Sequence, residues 1–115
     1  MKDLRNRVQL IGNLGMDPEV KSFNGDRKLA KFSVATSQSY TNNKGERVKD
    51  TQWHNIIAWG KLAETAEKYL KKGSEVALEG KLVYRSYETK EGQTRYITEI
   101  VLNEFMMFSK KQKAE

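Results

Sequence analysis

Thr51-Gln-Trp-His-Asn-Ile-Ile-Ala-Trp-Gly-Lys-Leu-Ala-Glu-Thr-Ala-Glu-Lys-Tyr-Leu-Lys-Lys-Gly73 changes its hydrophobic period in the middle, and that change decides the fold. From Trp53 to Trp59 the run is short, apolar and rich in aromatic and β-branched residues, which suits a strand in a curved, largely buried sheet. After Gly60, Leu62, Ala66, Tyr69 and Leu70 recur at helical spacing, with Lys61, Glu64, Glu67 and Lys68 falling elsewhere. Gly73 follows two lysines, where a left-handed helix cap is expected. One strand therefore feeds one helix.

Upstream, Val8 and Leu10 alternate with polar neighbours and meet Gly12 and Gly15, which predicts a strand ending near Leu14 and a bend or bulge there. Asp17-Pro18 breaks the chain. Glu19 to Phe23 suits a short strand, and Asn24-Gly25-Asp26 is a turn signal that makes it half of a hairpin with Lys28 to Ser37. Gln38 to Asp50 is polar and reads as a long loop carrying Tyr40, Lys44, Arg47 and Lys49. Downstream of the helix, Val76, Leu78, Leu82 and Tyr84 share one parity of a long alternating run, and Lys81, Val83, Arg85 and Tyr87 share the other. Thr89 to Thr94 reads as a second polar hairpin. Arg95 to Phe105 is a last strand, apolar on both faces, with Met106, Met107 and Phe108 expected to close the core. Five principal strands with one α-helix between the third and the fourth is the element order of an all-β, five-stranded Greek-key β-barrel, the OB-fold. Gly80, in mid-strand, suits the tight coiling of such a barrel.

The chain has 115 residues, a length that predicts one domain over residues 1–108 and a short charged end over 109–115. Lysine and arginine number 21 against 15 acidic residues, a net charge of +6 that points to a polyanionic partner. The sequence has no cysteine, no run of ~18 apolar residues to span a bilayer, and no apolar secretory segment at its start, so a cytoplasmic protein without membrane partners is expected. Phosphate loops, nucleophile elbows and zinc spacings are absent. His54, the single histidine, reads as structural, and no catalytic residue, metal ligand or cofactor is expected.

Binding has more to stand on. Trp53 and Trp59 share a parity, about 20 Å apart at ~3.3 Å per residue. Tyr87 shares its parity with Lys81 and Arg85, and Tyr40 opens the basic loop. A flat ring beside a cation is what single-stranded nucleic acid requires, because an unpaired base stacks on the ring while the cation meets its phosphate. Periodicity leaves open whether the Trp53 face or the His54-Ile56-Ala58 face points inward, and aromatics in a small barrel are often core.

Asn6-Arg-Val-Gln-Leu-Ile-Gly-Asn-Leu-Gly-Met-Asp-Pro-Glu-Val20, Phe32-Ser-Val-Ala-Thr-Ser-Gln-Ser-Tyr40, Gln52-Trp-His-Asn-Ile-Ile-Ala-Trp-Gly-Lys-Leu-Ala-Glu64, Tyr69-Leu-Lys-Lys-Gly-Ser-Glu-Val76 and Glu79-Gly-Lys-Leu82 together resemble the bacterial single-stranded DNA-binding protein (SSB) family, in collinear order over residues 4 to 103. The resemblance implies an OB-fold that assembles as a homotetramer and wraps single-stranded DNA in replication, recombination and repair. It implies that Tyr40, Trp53, Trp59 and Tyr87 stack on bases. Two of these are tyrosines where tryptophan is usual in the family, and Trp59 stands where phenylalanine is common. Arg7, Lys21, Lys61, Lys72, Arg85 and Arg95 fall at or near the family's basic positions and are the expected phosphate contacts, while His54 matches a subunit-interface residue. The family usually continues into an acidic tip that recruits other proteins. This sequence stops at Phe108-Ser-Lys-Lys-Gln-Lys-Ala-Glu115, so tail-mediated partners are not expected. The competing readings are an RNA-binding or primosome-type accessory OB module, and a protein-interaction module with its aromatics buried.

Overall fold

Each alternating or apolar run becomes a strand. These are β1 (Val8–Leu14), β2 (Glu19–Phe23), β3 (Arg27–Thr41), β4 (Arg47–Trp59), β5 (Glu75–Glu88) and β6 (Thr94–Met107), with α1 (Lys61–Tyr69) between β4 and β5. The computed structural model describes residues 4–23 and 27–108. The expected turn at Asn24-Gly25-Asp26 and the charged end 109–115 lie outside the described residues. The sheet runs β1-β5-β6-β4-β3-β2, and β1 pairs a second time with β3 at Asn13↔Ala35 and Leu14↔Val34. That second pairing closes β1, β5, β6, β4 and β3 into a five-stranded barrel, with β2 added outside on β3. This is the OB-fold expected from the sequence. Because β2 pairs with β3 over five residues it counts as a strand, so the helix lies between the fourth and fifth strands of six rather than the third and fourth of five.

The core settles which face of β4 points inward. Ile56 and Ala58 are fully buried with Phe32 and Val34 of β3, Val76 and Leu78 of β5, and Ile100 and Leu102 of β6. His54 continues that parity at the barrel rim, half-buried, with Nε2 3.0 Å from Thr36 Oγ1. The helix closes one end with Ala63, Ala66 and Leu70, all buried. Its apolar face is thus rotated from the one the spacing predicts, and Tyr69 points to solvent under Lys68 Nζ, 5.4 Å from the ring centroid. The helix also ends earlier than expected. Leu70 is already extended, and Gly73, at φ 91°, lies in the following turn and donates its N–H to Leu14 O at 2.9 Å.

Met106, Met107 and Phe108 do not close the core; all three are exposed, and Phe105 packs there instead. For Met106 and Phe108 the cause is a bulge, while Met107 keeps the parity of Phe105 but lies at the end of the strand. Glu79 pairs with Glu104 but Gly80 with Leu102, so Asn103 is an extra residue that switches the parity of β6 and turns Phe105 inward opposite Leu78. Gly80 fits the tight crossing, since a Cβ there would run into the Val101 carbonyl.

The stretch 38–50 is not a loop. β3 and β4 stay paired as far as Thr41↔Arg47, which leaves only Asn42–Glu46 as a turn. Both faces of this ribbon are in water, so nothing selects alternation and the strand cannot be read from hydrophobic period. The β5–β6 hairpin projects likewise as far as Glu88↔Thr94. The two tips are built alike. Asn42 Oδ1 accepts the backbone N–H groups of Lys44 and Glu46 at 2.9 and 3.0 Å, and Thr89 Oγ1 accepts those of Glu91 and Gln93 at 3.3 and 3.2 Å.

Candidate nucleic-acid interface

With Ile56 and Ala58 turned in, Trp53, Asn55, Ile57 and Trp59 take the outer face of β4. Partners opposite each other in a sheet share a face, so the register extends this surface in rows. Ala35 lies beside Trp53, Ser33 beside Asn55, Lys31 beside Ile57 and Leu29 beside Trp59 on β3. On the other side Asn55 neighbours Glu99 in parallel pairing, and Lys81↔Val101, Val83↔Glu99, Arg85↔Ile97 and Tyr87↔Arg95 carry the face onto the β5–β6 hairpin. A shallow recess of about 190 Å³ lies in its centre, lined by Ser33, Asn55, Ile57, Ile97 and Glu99 among others.

Each tryptophan has its own support. The far edge of the Trp53 indole lies against the bare backbone of Gly15, where a Cβ would collide with Cζ3 and Cη2. Gly15 is in turn fixed by its N–H donating to Ser33 O at 3.0 Å. The second glycine of the Gly12 to Gly15 pair is thus a shelf for a ring as well as a bend. Trp59 packs beside Phe23, with ring centroids 6.4 Å apart and planes tilted by 38°, and the Arg27 guanidinium carbon lies 5.0 Å from its ring centroid. Lys21, opposite Leu29, stands in the same row.

All four expected rings reach solvent: Trp53 is 61% exposed, Tyr40 53%, Tyr87 50% and Trp59 40%. Tyr87 faces Arg95 across the hairpin, and Arg95 also donates to Gln93 Oε1 at 3.3 Å. Tyr40 pairs with Val48 near the tip of the β3–β4 ribbon and has the parity of Val34 and His54, so the register does not bring it onto the face of the tryptophans. Lys61 opens α1 directly after Trp59 and Gly60, and Lys72 lies in the turn after the helix, its backbone N–H donated to Asp17 Oδ1 at 2.9 Å. Two of the expected cations are already paired. Arg7 Nη2 is 3.1 Å from Glu79 Oε1 on the β1–β5 side of the barrel. Arg85 holds Glu99 bidentately, Nε to Oε1 and Nη2 to Oε2, both at 2.9 Å. Those hydrogen bonds, and then the charge of Glu99, push the Arg85 pKa above the usual arginine range.

Sequence reasoning missed Phe23, Arg27, Lys31 and Glu99 on this face. Lys31 could have been found from strand parity alone, but the Phe23 and Arg27 contacts with Trp59 need the β2–β3–β4 register. It also counted Tyr84 with the apolar parity. Tyr84 and Tyr96 are exposed on the reverse of the β5–β6 hairpin, because that hairpin runs past the end of the barrel. Among the described residues no group of three or more His, Cys, Asp or Glu side chains is placed to hold a metal, and no helix is long and apolar enough to cross a membrane.

The model of the Single-strand binding protein family matches residues 5–108. The chain belongs to that family. Family relatives include a single-stranded DNA-binding protein of Neisseria meningitidis serogroup A, 48% identical over 102 residues that make up 89% of this chain and 59% of the relative. A second is single-stranded DNA-binding protein 1 of Chlorobaculum tepidum, 42% identical over 107 residues, 92% of this chain and 66% of the relative. The chain therefore spans about three-fifths of the length of the Neisseria relative. Among solved structures, the Plasmodium falciparum SSB in complex with ssDNA superposes with a TM-score of 0.84 at 33% identity, covering 95% of this chain and 99% of that one.

Proposed function

We propose that residues 1–108 form a unit that binds single-stranded DNA with little sequence preference, in DNA replication, recombination and repair. Unpaired bases stack on Trp53, Trp59, Tyr87 and, at the ribbon tip, Tyr40. Lys21, Lys61, Lys72 and Arg95 meet phosphates, whereas Arg7 and Arg85, expected from the sequence among the same contacts, are held by Glu79 and Glu99 and are left out of that set. The observation that carries this reading is the exposure of four aromatic side chains on a chain of net charge +6, two of them on the same face of one strand. Each ring keeps a large part of its surface open to solvent for a base, and duplex is excluded because its bases are already stacked.

The role is non-catalytic: the protein covers a strand and does no chemistry on it. One OB-fold covers about 4–16 nucleotides, so tight binding comes from several copies on one strand, each raising the effective concentration for the next. A homotetramer, with His54 at a subunit interface, and a cytoplasmic location fit that use. The test is titration of intrinsic tryptophan fluorescence with oligo-dT at low salt, with oligo-U as competitor. Quenching at stoichiometric oligo-dT, reversed by salt and weakly challenged by oligo-U, is expected. Unchanged emission would end the proposal, and preference for oligo-U would move it to RNA.

A further inference from the structure

We infer that Glu99 is a positioning residue of this interface: it clamps the Arg85 guanidinium to the sheet and withholds that cation from phosphate. The inference rests on the single-strand reading of the face. Arg85 and Glu99 stand 14 residues apart on adjacent strands, one pair out of register, with Arg85 opposite Ile97 and Glu99 opposite Val83. Two parallel N–H···O bonds of 2.9 Å take up one side of the guanidinium fork, the geometry that would otherwise seat a phosphate. The Glu99 side chain is only 7% exposed, whereas that of Arg85 is 46% exposed. The acid therefore lines the recess beside Asn55 and Ile57, and the arginine holds it from the neighbouring strand, opposite Ile97. An unpaired carboxylate at this point would repel the backbone of a bound strand. Paired, it and Arg85 cancel, so the wall of the recess at Glu99 presents no net charge to a bound strand, and Lys31 is the cation that lines the same recess.

The consequence is a change in counterion release. Each phosphate neutralised on a single strand contributes about 0.7 to the slope of log affinity against log salt. With Arg85 withheld, the native slope lacks its share. Glu99→Gln keeps the shape and one hydrogen bond but frees the cation, so the slope should steepen by about 0.7, roughly a fivefold larger loss of affinity for each tenfold rise in salt. Arg85→Gln, which leaves Glu99 a hydrogen-bond donor, should leave the slope as it is.

The experiment measures oligo-dT affinity by fluorescence anisotropy between low and high salt for the native chain, Glu99→Gln, Arg85→Gln and the double variant, with thermal melts alongside. A steeper slope for Glu99→Gln alone, with the double variant returned to the native slope, supports the inference. A merely structural pair would move the melts and leave all slopes equal, and that result overturns it. So does a shallower slope for Arg85→Gln, which would mean that the arginine already holds a phosphate. If Glu99→Gln does not fold, Glu99→Ala, which removes the acid and frees the same cation, is measured in its place, and an unchanged slope for it overturns the inference. A native chain indifferent to oligo-dT at low salt would overturn the interface as a whole, a failure distinct from equal slopes among variants of a chain that binds.

Discussion

Removing the Trp53 indole is the sharpest single perturbation of the proposed interface. In Trp53→Ala the ring is lost from the outer face, and the core residues Ile56 and Ala58 on the opposite face keep every neighbour. The indole is 61% exposed, so about two-fifths of it is covered, in part by Gly15. An aromatic side chain offers 150–250 Å², so the covered part is ~100 Å² at most. At ~25 cal/mol per Å² its loss costs at most about 2.5 kcal/mol of stability, less than the 5–15 kcal/mol typical of a domain. The chain should therefore stay folded. One stacked base contributes about 1–3 kcal/mol, which predicts a Kd raised about 5- to 150-fold. The assay is anisotropy of a labelled oligo-dT at fixed low salt, since intrinsic fluorescence is itself altered by the substitution. Circular dichroism checks the fold and the salt slope checks the mechanism. A lost stack should weaken binding at every salt concentration without changing the slope. A Kd within twofold of native in a folded variant would refute the platform role of Trp53, and a changed slope would mean that the ring acts through the cations.

Further outcomes follow from neighbouring contacts. Gly15→Ala puts a methyl group into the Trp53 ring, so the indole must leave its shelf; oligo-dT affinity should fall toward that of Trp53→Ala, and native affinity would show that the shelf is dispensable. Arg27→Gln removes the cation over Trp59; a loss of about 0.5–1 kcal/mol of ring ordering should appear as changed Trp59 emission in a Trp53→Phe background, with little effect on melting. Ile56→Ala empties a fully buried site of the barrel and should cost about 2–5 kcal/mol in denaturant unfolding; a smaller loss would mean that the core collapses around the gap. Tyr40→Ala and Tyr87→Ala, on different hairpins, should each weaken oligo-dT binding by about 1–3 kcal/mol. If the two rings touch different nucleotides, measurement of the double variant should give additive losses.

The barrel interior is filled by Phe32, Val34, Ile56, Val76, Leu78, Ile100 and Leu102 among others, and the β4 tryptophans are on the outside. In the proposed binding mode, reach along a bound strand comes from the two projecting hairpins. Beyond the barrel end the hairpins carry charged and polar residues interspersed with the exposed Tyr40, Tyr84, Tyr87 and Tyr96.

By itself the amino-acid order determined the switch from strand to helix at Gly60, the number and sequence of the principal strands, the basic balance, and the rings placed beside lysine and arginine. These are local quantities, carried by period, turn residues and composition over ten or so positions. Tertiary structure alone decided which side of β4 faces water, because alternation looks the same from either face until the β1–β3 and β4–β6 pairings close the barrel. It decided the exposure of Met106 and Phe108, which depends on an extra residue at Asn103 that no periodicity reveals. It extended strands over 38–41 and 47–50, where hydrogen bonds between backbones need no apolar pattern. And it joined Arg85 to Glu99 and Arg27 to Trp59, pairs 14 and 32 residues apart that only strand register brings within reach.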